Sequence, residues 1–184
     1  EVITKRSVPF SNELYIERDD FMMDPPKKFF RLGVGLQVRL KGAYIVTCTD
    51  FKTDAAGNVT EVHAEYIPES KSGQDTSGIS VKGTIHWVSV AHAVEAEVRN
   101  FDRLLIVEDA SELGDDFLKF INPASLQIVP KVFVEPGLKA AKEGQALQFI
   151  RKGYYSLDAD STSDKLVFNR TVTLKDTWAK EKAK

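Results

Sequence analysis

The chain has 184 residues, with 25 Lys and Arg against 27 Asp and Glu, a formal net charge of −2, 42% hydrophobic and 28% charged residues. This is an ordinary globular composition with room for one large domain or two small ones. The charge balance excludes nucleic-acid binding by overall basicity, because counterion release depends on the phosphates touched and so needs a local cluster. The one cysteine, Cys48, excludes an internal disulfide and a cysteine-based zinc site and fits a reducing compartment. No apolar run reaches the roughly 18 residues of a membrane span, and Glu1-Val2-Ile3-Thr4-Lys5-Arg6 lacks the layout of a secretory signal. The expected location is cytoplasmic. The start at Glu1 rather than Met points to a processed or excised piece.

Strand signals dominate the chain. Residues 13–17 alternate apolar and polar, and residues 36–49 form a long run rich in Val, Leu, Ile, Tyr and Thr. Asp54-Ala55-Ala56-Gly57-Asn58 supplies turn conformations at little cost, so residues 59–67 are expected to return as the partner strand of a hairpin. The polar stretch 69–78 reads as a mobile loop. Strands follow at 81–90 and 99–107. Asp115-Asp116-Phe117-Leu118-Lys119-Phe120 predicts a short helix, ended before Pro123 because a residue preceding proline avoids the helical region. Residues 125–134 read as a strand that Pro130 makes an edge or bulged one. One helical turn is expected at 138–142, strands at 145–151, 154–157 and 165–174, and a frayed charged tail at the end. Many short strands with polar turns suggest barrels or sandwiches.

Two clusters stand out. Lys27, Lys28, Arg31, Arg39 and Lys41 fall within fifteen residues. Gln37, Arg39 and Lys41 are spaced by two, which puts them on one strand face with Val38 and Leu40 on the other. Two cations on a pleated face repel unless something anionic lies over them, and phosphate or a base edge would serve. A solvated strand face with carboxylates opposite accounts for the same spacing. In the second cluster, Gln148 and Arg151 both present fixed hydrogen-bond patterns to base edges. Three apart on a regular strand they point to opposite faces, so they converge only if a bulge or turn intervenes, which Gly153 permits. A plain strand end with an exposed Arg is the alternative.

Other chemistry is weakly signalled. His63, His86 and His92 are too dispersed for a metal motif. Asp158, Asp160 and Asp164 fail a calcium loop, with Ser163 at the glycine position and Asn169 at the glutamate position. Asp115 and Asp116 are accounted for by the helix dipole. No phosphate loop, nucleophile elbow or nucleophile–base signature is present. No catalytic residue, cofactor site or metal site is expected in this chain.

Three segments carry a family resemblance: Lys82-Gly83-Thr84-Ile85-His86-Trp87-Val88-Ser89, Val8-Pro9-Phe10-Ser11, and Leu166-Val167-Phe168-Asn169-Arg170-Thr171-Val172. Together they resemble the C-terminal anticodon-binding region of glutaminyl-tRNA synthetases. The resemblance extends from about residue 6 to 179 through further blocks at 15–21, 31–32, 38–40, 91–93, 101–104, 120–123, 148–149 with 151, and 166–178. Glutamyl enzymes of archaea and eukaryotes share part of the pattern. The resemblance implies a mainly β fold with two small antiparallel β-barrels and a few short helices. The expected regions are 7–110 and 111–178, with strands shared between barrels allowed, and a charged tail at 179–184. It also implies a module that catalyses nothing and grips the anticodon loop of glutamine tRNA, downstream of a class I catalytic domain in the same chain that uses ATP with Mg. No membrane is involved and a monomer is expected.

By the same resemblance Arg31 contacts the third anticodon base, a guanine, for which Arg is well shaped. Arg39 and Lys41 lie near the first base, and Gln148 and Arg151 read the middle uracil. Lys28, with Lys27, meets phosphate. Phe30 stands where relatives often carry Lys and offers stacking instead. Lys41 stands for a usual Arg and lacks the planar fork, and Ile79-Ser80 replaces a basic pair. Two other functions stay open: a bracing module for the catalytic domain, and a 5S rRNA-binding ribosomal barrel protein, against which the net charge speaks.

Overall fold

The structure is a computed structural model of the chain and describes residues 6–107, 111 and 113–174. Trp178, the 179–184 tail, and residues 108–110 and 112 at the expected domain boundary lie outside the described residues. The fold is mainly β, as expected. The chain divides into two compact units, Phe10–Ala91 and Glu1–Pro9 with His92–Lys184.

The first unit holds β1 (Leu14–Ile16), β2 (Gln37–Leu40), β3 (Ile45–Thr53), β4 (Val59–Ile67), β5 (Thr84–Ile85) and β6 (Trp87–Ser89). A four-stranded sheet runs β4-β3-β2-β5, and β1 pairs with β6. The run at 36–49 is therefore two strands rather than one. Gly42, at φ +70°, lets the chain reverse, with the Ala43 N–H donating to the Leu40 carbonyl at 2.9 Å. The hairpin of β3 and β4 forms where the sequence places it. The Asp54 carboxylate closes its turn by accepting from the Ala56 and Asn58 N–H groups and from Asn58 Nδ2.

Residues 81–90 are also two strands, broken at His86 because they serve two sheets: β5 lies parallel to β2 and β6 antiparallel to β1. The core of this unit is Val38, Leu40, Ile45, Val46, Cys48, Ile85, Trp87 and Val88. Phe10 packs edge-on to Trp87 with ring centroids 5.3 Å apart, and Ser11 Oγ lies 2.7 Å from Ser89 Oγ. Two sequence blocks that carry the family resemblance thus meet in space.

The second unit holds β7 (Val94–Phe101), β8 (Leu126–Val134), β9 (Leu147–Phe149), β10 (Gly153–Leu157) and β11 (Leu166–Val172), in the order β8-β7-β11-β10-β9. The strand expected at 99–107 lies at Val94–Phe101, because Ala96 and Val98 fill the core beside Phe168, Tyr155 and Leu166. The expected division at 110 groups this strand with the first region, yet its partners are β8 and β11. Most pairings are antiparallel; β2 with β5 and β7 with β11 are parallel. Pro130 sits on the edge strand at the register shift opposite Glu97, as a residue without an N–H requires. The expected helices at 115–120 and 138–142 are 3-10 turns at Gly114–Phe120 and Pro136–Ala140.

The face of β7 opposite this core is closed by charge. Glu97 accepts from Arg99 Nε at 2.8 Å and pairs with Lys165 Nζ at 2.9 Å, while Arg99 Nη1 reaches Asp160 at 2.8 Å and Asp158 at 3.4 Å. Asp158 is thereby a structural carboxylate, which also accepts from the Asp160 N–H. Hydrogen bonds from Lys165 and then Arg99 hold the Glu97 carboxyl below its ordinary value, and those from the Asp160 N–H and Asn169 lower Asp158. A carboxyl lowered by folding stabilises above its unfolded pKa and loses that contribution as pH falls through its folded pKa. Thermal unfolding temperature is therefore expected to fall on acidification below the ordinary Glu value of 4.5. Glu97→Gln should lose stability at pH 7 and show a shallower acid limb. An acid limb identical to that of the unmodified chain would show that the network does not carry the effect.

Candidate nucleic-acid interface

In β2, Val38 and Leu40 are buried, Gln37 is exposed and Arg39 is partly buried, so the alternation read from sequence is real. Gln37 Nε2 donates to Thr47 Oγ1 across the ladder. Lys41 follows at the strand end, exposed, and its backbone carbonyl accepts from Trp87 Nε1 at 3.0 Å. Arg39 differs from expectation. Rather than lying open, its guanidinium is covered by the 69–78 loop: Nη1 donates to the Ser70 carbonyl at 2.7 Å, and Nη2 pairs with Asp75. That loop, expected to be mobile, is tied at several points. Ser70 Oγ accepts from the Ile45 N–H and donates to the Ile67 carbonyl, and the Ser72 N–H donates to the Ala43 carbonyl.

The segment before β2 runs alongside. Arg31 Nη1 donates to the Asp19 carbonyl at 2.7 Å, and Nε lies 3.4 Å from the carboxylate of the fully buried Asp20. Leu32 locks this segment down, donating its N–H to the Asp20 carbonyl and accepting from the Met22 N–H. Phe30 is 48% exposed, and Lys82 Nζ lies 5.2 Å from its ring centroid, within cation–π range. Lys27 and Lys28 are exposed. Gly83 is what allows the approach: a Cβ there would lie 1.8 Å from the Phe30 carbonyl oxygen. The structure therefore brings Phe30, Arg31, Arg39 and Lys41 into one region with Lys82. Sequence reasoning did not single out Lys82, although it lies inside the quoted motif.

In the other unit the difficulty with Gln148 and Arg151 is resolved by a turn. The strand expected at 145–151 stops at Phe149, and the Lys152 N–H donates to the Phe149 carbonyl at 2.9 Å. Arg151 occupies the third position of that turn at φ +65°, the one positive φ at a non-glycine among the described residues. Gly153 follows where a Cβ would meet the Val172 carbonyl at 2.7 Å. Gln148 lies across the ladder from Tyr154, and both are exposed, whereas Phe149 stacks on Tyr155 at 4.3 Å on the core side. The outward face thus carries an amide and an aromatic ring, with an arginine in the turn that joins them. Tyr154 was also missed; its signal was the period-two alternation continued through the turn.

Other candidates have ordinary structural roles. His63 lies beside Glu61, Asp116 pairs with Lys119, and Ser89 is buried against Ser11. No cluster of three metal-ligating side chains occurs among the described residues, and no described helix is long and apolar enough to cross a membrane.

Two family models, each described as tRNA synthetases class I (E and Q), anti-codon binding domain, match residues 2–67 and 84–158. The chain belongs to this family of anticodon-binding domains. It is 55% identical over 181 residues to the glutamine–tRNA ligase of Rhodopirellula baltica, 50% over 178 residues to that of Cupriavidus taiwanensis, and 50% over 175 residues to that of Clostridium perfringens. These alignments cover 97%, 96% and 95% of the chain. The chain spans only 30–32% of the length of these relatives.

A side chain held at positive φ costs about 1–2 kcal/mol. Arg151→Gly should therefore raise the thermal unfolding temperature, since glycine adopts that conformation freely. A lowered temperature would mean that contacts of the Arg151 side chain outweigh the backbone strain.

Proposed function

We propose that this chain is the part of a glutamine–tRNA ligase that recognises the anticodon loop of glutamine tRNA. The observation that carries this reading is the roughly 50% identity to glutamine–tRNA ligases along 95–97% of the chain. The residues suit the task. Duplex RNA hides its base edges in a deep, narrow groove, so sequence is read where bases are splayed out, as in an anticodon loop. Arg31 reads the third base, Arg39 and Lys41 the first, and Gln148 with Arg151 the middle uracil. Lys27, Lys28 and Lys82 meet phosphate, and Phe30 and Tyr154 offer rings for stacking. The parent enzyme joins glutamine to its tRNA with ATP and Mg in a class I catalytic domain elsewhere in the same polypeptide. The chain acts as a cytoplasmic, monomeric module that holds the tRNA.

A bracing module makes a different prediction, since it binds without regard to anticodon sequence. Arg31→Ala and Arg151→Ala are each expected to cost about 1–3 kcal/mol of tRNA binding and to relax discrimination at one anticodon base. Lys27→Ala and Lys28→Ala should flatten the salt dependence and leave base preference intact. Fluorescence anisotropy with labelled anticodon stem–loops measures both. Arginine variants that weaken all anticodons equally would leave those residues a phosphate role only.

A further inference from the structure

The basic residues at and just before β2 fall into two electrostatic groups. The arginines are paired with carboxylates: Arg31 with buried Asp20, and Arg39 with Asp75. Lys27, Lys28 and Lys41 have no ion-pair partner among the described residues. Arg39 is the more tightly held arginine. Besides Asp75, its Nη1 binds the Ser70 carbonyl and lies 3.4 Å from Ser72 Oγ. Its side chain is 23% exposed, and that of Asp75 27%.

Asp75 is itself fixed. Its Oδ1 accepts from the Ser77 N–H at 2.9 Å and from Ser77 Oγ at 2.7 Å, which leaves Oδ2 for Arg39. These bonds from Ser77, followed by that from Arg39, hold the Asp75 carboxyl below its usual range, so it is charged at neutral pH. The Thr76 N–H donates to the Glu69 carbonyl and ties the loop back to its own base.

An arginine with a carboxylate on one nitrogen carries little net charge outward and gains little from a phosphate. Nη1 and Nη2 of Arg39 already donate to the loop, so the donors left are Nε–H and the second Nη2 hydrogen, held in one orientation in the plane of the guanidinium and rewarding only correctly spaced acceptors. An unpaired lysine has the opposite properties. We infer that Asp75 is a specificity-determining positioning residue: it neutralises Arg39 toward phosphate and fixes its guanidinium, so that Arg39 responds to the edge of the first anticodon base. This rests on the reading of Arg39 as the residue at that base. Asp75 thereby lowers affinity and raises discrimination.

The test is anisotropy of the 184-residue chain with glutamine-type anticodon stem–loops carrying a pyrimidine or a purine at the first position, at several salt concentrations. Thermal melts confirm folding of each variant. Asp75→Asn is expected to tighten binding to both loops and to steepen the salt slope by about 0.7, the value for one more cation on single-stranded RNA. It should also cut the first-base preference at least about fivefold. Ser77→Ala keeps the charge but frees the carboxylate, and should reduce preference without changing the slope. In an Arg39→Ala background, Asp75→Asn should leave the preference unchanged.

An Asp75→Asn variant that keeps full preference, while Arg39→Ala loses it, overturns the inference and leaves the reading of Arg39 standing. If Arg39→Ala itself keeps the preference, that reading fails and the inference with it. Uniform weakening of both loops by Asp75→Asn assigns the residue to loop folding alone and overturns it as well.

Discussion

The passage of Gly83 against the Phe30 carbonyl is the contact on which the basic region of the first unit depends. A methyl group at 83 would fall within 3 Å of both the carbonyl carbon and oxygen of Phe30 and crowd Val38. Only glycine lets β5 lie beside β2, with the Arg39 N–H donating to the Gly83 carbonyl and the Lys41 N–H to that of Ile85. Once that pairing is made, Lys82 comes over the Phe30 ring and Trp87 Nε1 reaches the Lys41 carbonyl. Segments far apart in sequence are then fixed around one short strand. A chain with net charge −2 can in this way carry a local cationic surface.

Within that surface, charge is divided by residue type. Lys27, Lys28 and Lys41, compact point charges, have no ion-pair partner among the described residues, whereas Arg31 and Arg39 are held in orientation by Asp20 and Asp75. In the second unit, pairing of cations with carboxylates serves a different end. There Glu97, Arg99, Lys165, Asp158 and Asp160 cover one face of β7 and β11, while the exposed Gln148 and Tyr154 flank the β9–β10 turn. The strain at Arg151 has the form expected where side-chain placement matters more than local stability.

Much of this was legible from sequence because the signals are local. The alternation of Gln37, Val38, Arg39 and Leu40, the Asp54–Asn58 turn, the hairpin that follows, and the edge position of the Pro130 strand all follow from period-two patterning and the chemistry of a few residues. The family resemblance likewise held over the matched segments. What was missed depends on contacts distant in sequence or on backbone angles. The break at His86 exists because two sheets claim residues 84–89. The placement of β7 follows from packing on Phe168, and the partner of Arg39 lies 36 residues away in a stretch whose composition reads as loose. Arg151 at positive φ carries no sequence signal, since turns of that kind ordinarily advertise themselves with glycine or asparagine.

The most direct test of the central claim is the affinity of the unmodified chain for the anticodon stem–loop of glutamine tRNA, against the same loop with its middle uracil replaced, at two stated salt concentrations. Anticodon reading by this chain predicts a clear preference for the uracil loop that persists at the higher salt, because base-edge hydrogen bonds survive where phosphate attraction is screened. Equal binding of the two loops, falling together as salt rises, would contradict it and leave a backbone clamp.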